Sequence, residues 1–293
     1  MESAVATGTT QLGLASSELF ADYVLTDARV IYYSIPKVAC TSLRVQAAQL
    51  NGEAADLART DRIHHRQQWQ RTPKVSQILG TPLEAAAVGE DWLRFVVVRD
   101  PVMRLWSAWE NKFLLKDPWH LRLHPDLEPT RFPASSDEVF DLFAEFVGRL
   151  EDGHHVFDDE HFRPQSQLAP SNEDPSLAPV EVYTIGQIGA LQDRLRAHVE
   201  ARDLELPPLA RFNEGVIRLA PADLPAEVVA RIEALYAEDY RVFPQLREEA
   251  GRDERRGLSA NPIAALWTIW DRSDALLSLR GKVDELRREL ATW

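Results

Sequence analysis

The sequence has one cysteine in 293 residues, too few for an internal disulfide. That excludes a small secreted fold stapled by cystines and points to a reducing compartment, so a cytoplasmic location is expected. There is no apolar run near the roughly 20 residues that cross a bilayer. The opening MESAVATGTTQLGLA lacks both a cationic start and a core of roughly 7–15 apolar residues, so no signal peptide is expected. Positive charge is scarce too: 33 Lys and Arg stand against 46 Asp and Glu, a formal net charge of −13. Such a chain is repelled by nucleic-acid backbones and anionic lipid, which removes both from the expected partners. What is present is globular material, 45 % hydrophobic and 9 % aromatic, enough for a core in one large domain or two small ones.

Three strand-then-helix units predict an α/β fold with a parallel sheet flanked by helices. Val30 to Ile35 (VIYYSI) predicts a buried strand stopped by Pro36, with a helix over Leu43 to Leu50. Phe95 to Val98 is a continuous apolar run, as in a central parallel strand. Pro101 suits the first turn of the helix that follows, with Asp100 as cap and Val102, Leu105, Trp106, Trp109 and Phe113 on one face. Val180 to Ile185 is a third strand, with Leu191, Leu195 and Val199 at helical spacing behind it. An insertion over about 114–178 is expected to act as a lid or binding wall. It carries one helix, opened by a Ser135 and Glu138 capping box and faced by Val139, Phe143, Phe146, Val147 and Leu150. The expected division is a main domain over 1–250, a linker over 251–262 and a helical tail over 263–293. In the tail, Leu276, Leu279, Val283, Leu286 and Leu290 make a short heptad seam, either packed on its own domain or used for self-association.

Two segments have the makings of an anion site. The loop Pro36, Lys37, Val38, Ala39, Cys40, Thr41, Ser42 lies where a strand hands over to a helix, so free N–H groups and a positive dipole end face the ligand crevice. Lys37 adds a charge and Thr41 and Ser42 add hydroxyls. The glycines of a Walker loop are missing, which disfavours ordinary ATP or GTP chemistry. Arg99 lies at the carboxyl end of the most hydrophobic strand, and Arg104, Ser107 and Asn111 share one stripe of the next helix. Strand-end salt bridging is the plainer use of Arg99. Cys40 is placed for a lowered thiol pKa, although packing is its expected role.

Taken together, IPKVACTS (Ile35 to Ser42) and FVVVRDPVMRLWSAWENKF (Phe95 to Phe113) resemble the 5′-phosphosulfate and 3′-phosphate elements of the sulfotransferases, within them the carbohydrate type of the chondroitin and HNK-1 enzymes. DEHFRPQ (Asp159 to Gln165) is similar to that family's D-x-H-W-x-P-Q, and LYAEDYRVF (Leu235 to Phe243) to its Y-x-x-D-Y-x-x-F ending. The resemblance runs from about residue 30 to 245. It departs where the family's Golgi members carry a membrane anchor and several cysteines, at Gly189-Ala190-Leu191, which lacks the usual Glu, and at Phe162, where Trp is usual.

The resemblance implies a P-loop-like fold and a soluble enzyme moving a sulfuryl group from 3′-phosphoadenosine 5′-phosphosulfate (PAPS) to a hydroxyl by in-line displacement. It implies Lys37 at the leaving oxygen and Pro36 to Ser42 around the 5′-phosphate. Arg99, Arg104 and Ser107 would then hold the 3′-phosphate. No spaced His, Cys or Asp set predicts a metal, and none is expected. The base that takes the acceptor proton is sought among His64, His65 and His161. His154 and His155, in an acidic run, look solvated or capping. Arg59, Arg62, Arg66, Arg71 and Lys74 surround His64 with positive charge broken only by Asp61, which hints at an anionic acceptor, small molecule or glycan. Trp119 is a candidate for stacking on sugar rings, while Trp106 and Trp109 are expected in the core. Two other classes remain in view, a P-loop-type nucleotide-dependent phosphotransferase and a non-catalytic interaction protein.

Overall fold

The computed structural model describes residues 21–59, 61–129, 131–170, 172–173, 175, 177–212 and 221–250, together with 12, 217, 266, 268–273, 278–279 and 282–283. They fall into two compact units, Met1–Pro101 with Asp158–Glu214 and Tyr236–Arg252, and Val102–Phe157 with Gly215–Leu235 and Asp253–Trp293.

The first unit holds a four-stranded sheet in the order β1 (Ala21–Leu25), β2 (Val30–Ser34), β3 (Leu93–Val98), β4 (Glu181–Thr184). β2, β3 and β4 are parallel and lie where VIYYSI, FVVV and VEVYTI predict them. A fourth strand that the three expected units did not include lies at one edge: β1 pairs antiparallel with β2, Ala21 opposite Ser34 and Leu25 opposite Val30. No glycine or asparagine marks that hairpin, because Arg29 itself takes the left-handed conformation at φ 52°. β2 and β3 are buried along their whole length, as continuous apolar runs require. The one charge in β3, Arg94, is satisfied by carbonyls: Nε donates to Pro179 at 2.9 Å, Nη1 to Ala87 at 2.7 Å and to Gly89 at 3.0 Å. Tyr23, Tyr32 and Phe95, directly opposite in register, stack across three strands with centroids 5.9 and 5.0 Å apart.

In chain order the helices are α1 (Cys40–Leu50), α2 (Val75–Ile78), α3 (Pro82–Ala87), α4 (Pro101–Trp109), α5 (Pro118–Leu123), α6 (Ser136–Glu151), α7 (Ile188–Glu200), α8 (Ala226–Leu235), α9 (Ala237–Val242) and α10 (Gln245–Ala250). α1, which begins three residues before the expected Leu43, and α7 complete the strand-then-helix units.

In the second unit, α4 and α6 share an aromatic core. Trp106 and Trp109 meet Phe143 at 5.0 and 5.1 Å, and all three are buried. α4 passes into a π-helical turn, Glu110–Leu114. The side chain of Glu110 is buried there and its Oε1 accepts the Ile217 N–H at 2.6 Å. α6 starts as expected, with Ser135 Oγ accepting the Glu138 N–H at 3.2 Å and Glu138 Oε2 accepting the Ala134 N–H at 2.8 Å. The insertion carries a second helix that was not expected, α5. Asp117 caps it by accepting the N–H groups of Trp119 and His120, and its six residues are too few to display an apolar period. Trp270 is buried and donates its ring N–H to the Leu114 carbonyl at 2.6 Å. Leu279 and Val283 are exposed. Leu276, Leu286 and Leu290 of the heptad seam, and the 251–262 linker, lie outside the described residues. Among the described residues no helix is long and apolar enough to cross a membrane.

Candidate active site

The loop from Pro36 to Ser42 leaves the carboxyl end of β2 and enters α1. Lys37 and Ala39 have positive φ, 70° and 60°, a conformation that non-glycine residues adopt only when their surroundings impose it. Alternation of left-handed with ordinary residues is the backbone condition under which successive N–H groups can form an anion-binding nest, and Lys37 and Ala39 on either side of Val38 meet its left-handed part. Ala39 is the N-cap of α1 and no side chain caps it. The first-turn amides and the dipole's positive end are thus left for something other than a side-chain cap. Pro36, Val38 and Ser42 are buried, while Lys37, Ala39, Cys40 and Thr41 are half-buried.

Arg99 directly follows β3, at the carboxyl edge of the sheet where open α/β folds hold ligands. Its Nη1 donates to the Lys37 carbonyl at 3.3 Å, so the two segments picked out as anion sites meet. The backbone of Arg99 is bracketed by buried Gln165, which accepts the Arg99 N–H at 3.0 Å and donates Nε2–H to the Arg99 carbonyl at 2.8 Å. Gln165 is held in turn by Asp239, which is fully buried. One carboxylate oxygen accepts the Gln165 N–H at 2.9 Å, and the other accepts both the N–H and the Oγ–H of Ser166 at 2.8 Å. The Tyr236 hydroxyl donates to the Phe162 carbonyl, and the Tyr240 hydroxyl to Asp100 Oδ2 at 2.8 Å. The stretches Asp159 to Gln165 and Leu235 to Phe243 therefore form one network behind Arg99. Gln165, Asp239 and Tyr240 lie in the two stretches whose resemblance the sequence showed without assigning them a role, and their hydrogen bonds hold the backbone of Arg99 and the side chain of Asp100. The signal for them in the sequence was motif similarity alone, in DEHFRPQ and LYAEDYRVF.

A model described as the Sulfotransferase family matches residues 23–244. The chain belongs to the sulfotransferase family. The match takes in the loop, Arg99 and the network behind it, and the mixed sheet flanked by helices agrees with it. No solved structure matches the chain.

Around the sulfotransferase loop the expected histidines differ in setting. His64 ends a 3₁₀ turn (Asp61–His64), with Nε2 3.3 Å from Thr41 Oγ1 and Nδ1 2.9 Å from Arg44 Nη1. Arg44 itself is buried, gives its Nε–H to Ser34 Oγ at 3.1 Å and lies 5.7 Å from the centroid of the Tyr23 ring. His65 is exposed, and its backbone N–H closes a turn on the Arg62 carbonyl. His161 sets Nδ1 2.7 Å from Asp159 Oδ1. Lys37, Arg99, Thr41 and His64 are thus brought together in the first unit. Arg104 and Ser107 stand one turn apart on α4 in the second unit, Arg104 buried and Ser107 half-buried. Asn111, expected on their stripe, is exposed in the π-helical turn.

The basic cluster around His64 has local structural work. Arg62 pairs with Asp56 at 3.0 Å. Arg66 lies over the Tyr23 and Trp69 rings and donates to the Thr72 carbonyl, and Arg71 donates to the Gly52 carbonyl at 2.9 Å. The side chain of Arg59 is outside the described residues. Trp119 is 53 % exposed, with the Arg122 guanidinium 4.5 Å from its ring. In the second unit the ring nitrogens of His124, His154 and His155 come within 4.8 Å of one another. Both nitrogens of His154 are engaged, however, Nδ1 by the Val156 N–H at 3.1 Å and Nε2 by Asp126 at 3.0 Å, so a metal would have to displace a protein partner.

Proposed function

We propose that the chain transfers the sulfuryl group of PAPS to a hydroxyl of a carbohydrate or other hydroxylated acceptor, as in the carbohydrate branch of its family. The contact that joins the Arg99 guanidinium to the Lys37 carbonyl carries this reading, because it sets two cationic groups and an uncapped helix start at one sheet edge. Lys37 steadies the negative charge that gathers on the oxygen of the leaving phosphate, while the amides of the 36–42 loop, Thr41 and Ser42 hold the 5′-phosphate. Arg99, Arg104 and Ser107 take the 3′-phosphate, the group that separates this donor from ADP-like nucleotides. His64, His65 and His161 are the candidates for the group that removes the acceptor proton. Acceptor binding draws on exposed Trp119, whose ring suits a sugar face. Self-association through exposed Leu279 and Val283 and a cytoplasmic setting belong to the same proposal. The test is a thermal-shift titration with adenosine 3′,5′-bisphosphate, ATP-Mg and AMP in parallel, followed by an acceptor screen with labelled PAPS. Stabilisation by the bisphosphate alone is expected, and a response confined to ATP-Mg would overturn the reading in favour of a phosphotransferase.

A further inference from the structure

In the second unit three histidines meet that the proposed reaction does not use. His124 follows α5 directly, and its backbone N–H closes the last turn of that helix on the His120 carbonyl at 2.8 Å. His154 and His155 come from the turn after α6, where the Arg149 carbonyl accepts the His154 N–H at 3.0 Å. Two helix ends thus present the rings to one another. One ring nitrogen from each histidine lies within 4.8 Å of the other two, and the ring centroids are 4.4, 4.7 and 5.6 Å apart. Three imidazoles on one tetrahedral ion, at a metal–nitrogen distance of about 2.0–2.1 Å, have centroids about 5 Å apart and nitrogens roughly 3.4 Å apart. The rings stand at that spacing, and turning them about χ2 draws the nitrogens together. Among the described residues, His155 makes ring contacts with His124 and His154 and no hydrogen bond through its nitrogens.

The two bonds of the His154 ring show which nitrogen a metal would take. The Val156 N–H, 3.1 Å from Nδ1, only donates, so Nδ1 holds a lone pair. The ring proton is then on Nε2 and goes to Asp126 Oδ2 at 3.0 Å. A carboxylate behind the non-ligating nitrogen is the arrangement that orients metal-bound histidines and raises their basicity. Asp126 belongs to the 3₁₀ turn Pro125–Leu127, which begins at the residue after His124, so one short segment supplies a ligand and the support for another. What an ion displaces is a single bond from a neutral amide.

We propose that His124, His155 and Nδ1 of His154 bind a zinc ion, with Asp126 as the carboxylate behind His154 and water in the fourth position. The ion ties the end of α5 to the turn after α6 within the second unit. Neutral imidazoles favour zinc and its transition-metal neighbours over Mg²⁺ and Ca²⁺, which take oxygen ligands. The exposed ring of His155 gives the ion its way in. The ligands come from two segments separated by α6, so no H-x-H spacing announces the site in the sequence. Zinc binding here is independent of the sulfuryl-transfer reading.

Calorimetric titration of the chelator-treated full chain with zinc chloride near pH 7.5 is the test. One ion per chain is expected, with a Kd below about 10 μM and no matching response to magnesium chloride. His155→Ala removes an exposed ring and should weaken binding by about 100-fold or more. Asp126→Ala leaves all three ligands in place and should weaken it by about 10- to 100-fold. Co²⁺ supplies a second readout: the intense visible bands of a tetrahedral nitrogen site are expected in the native chain and should be lost in His155→Ala. Circular dichroism of each variant separates loss of binding from loss of fold. A native Kd above about 10 μM, or zinc held as tightly by a folded His155→Ala chain as by the native one, overturns the inference. So does equal affinity for Mg²⁺.

Discussion

At the scale of single residues, burial sets the chemistry of an acid in the sheet. Asp22 in β1 is 3 % exposed and accepts the Val75 N–H at 2.9 Å, and burial pushes its carboxyl up from the ordinary 3.8 to about 6. Because the folded value is the higher one, burial favours the protonated form. That contribution is complete below about pH 4 and is lost as pH rises through about 6. Asp22→Asn keeps an oxygen for Val75 and removes the charge. It should therefore match the native chain near pH 4 and exceed its stability near pH 7.5 by at most about 3 kcal/mol, read from urea midpoints at the two pH values. An equal difference at both would count against the buried ionisation. Lys37 and Arg99 predict a different pattern. Lys37→Ala should remove nearly all turnover while keeping bisphosphate binding within about tenfold, and Arg99→Ala should weaken that binding by about 10- to 100-fold, as expected for loss of a charge-assisted contact. Calorimetric titration with the bisphosphate separates the two effects. Lys37 and Arg99 were legible in the sequence because each ends an obvious strand; Asp239 was not, because nothing local shows that a carboxylate in α9 caps the backbone at Gln165 and Ser166.

At the scale of elements, the loop into α1 and the turn behind Arg99 are held by backbone geometry and buried hydrogen bonds. Ala39 at φ 60° tolerates glycine and resists a branched side chain. Ala39→Val should cost roughly 1–2 kcal/mol and lower bisphosphate affinity, whereas Ala39→Gly should fold at least as well as the native chain. Urea unfolding with and without the bisphosphate measures both, and a harmless Ala39→Val would show that the loop does not need this conformation. Asp239→Asn turns an acceptor of several N–H and O–H groups into a side chain that also donates. We expect a loss of about 2–3 kcal/mol, together with weaker bisphosphate binding because Gln165 no longer steadies Arg99. Normal binding in a destabilised variant would separate the network from the site. The strong elements were readable from their periods: β3 by its valines, α6 by its Ser135 cap and aromatic face. β1 and α5 were not, since five or six residues carry too little period and Arg29 takes a left-handed turn position that sequence rules reserve for glycine.

At the scale of the molecule, the proposed polyanionic donor requires a chain of net charge −13 to gather its cations at one place. Adenosine 3′,5′-bisphosphate at 100 times its Kd should stabilise the native fold by about 2.7 kcal/mol. For a domain of this size that corresponds to a Tm increase of roughly 5–11 °C, and Arg99→Ala should show a smaller increase at the same ligand concentration. Equal shifts in the two proteins would remove Arg99 from the site. Composition and motif order by themselves determined the α/β class, the strand ends that carry Lys37 and Arg99, and the family, because each depends on residues near one another in the chain. Only the tertiary structure decided that Arg99 reaches the Lys37 carbonyl, that Arg71 reaches the Gly52 carbonyl, and that Asp239 holds Gln165 beside Arg99. Hydrogen-bond partners distant in sequence set those outcomes, and no local pattern of residues displays them.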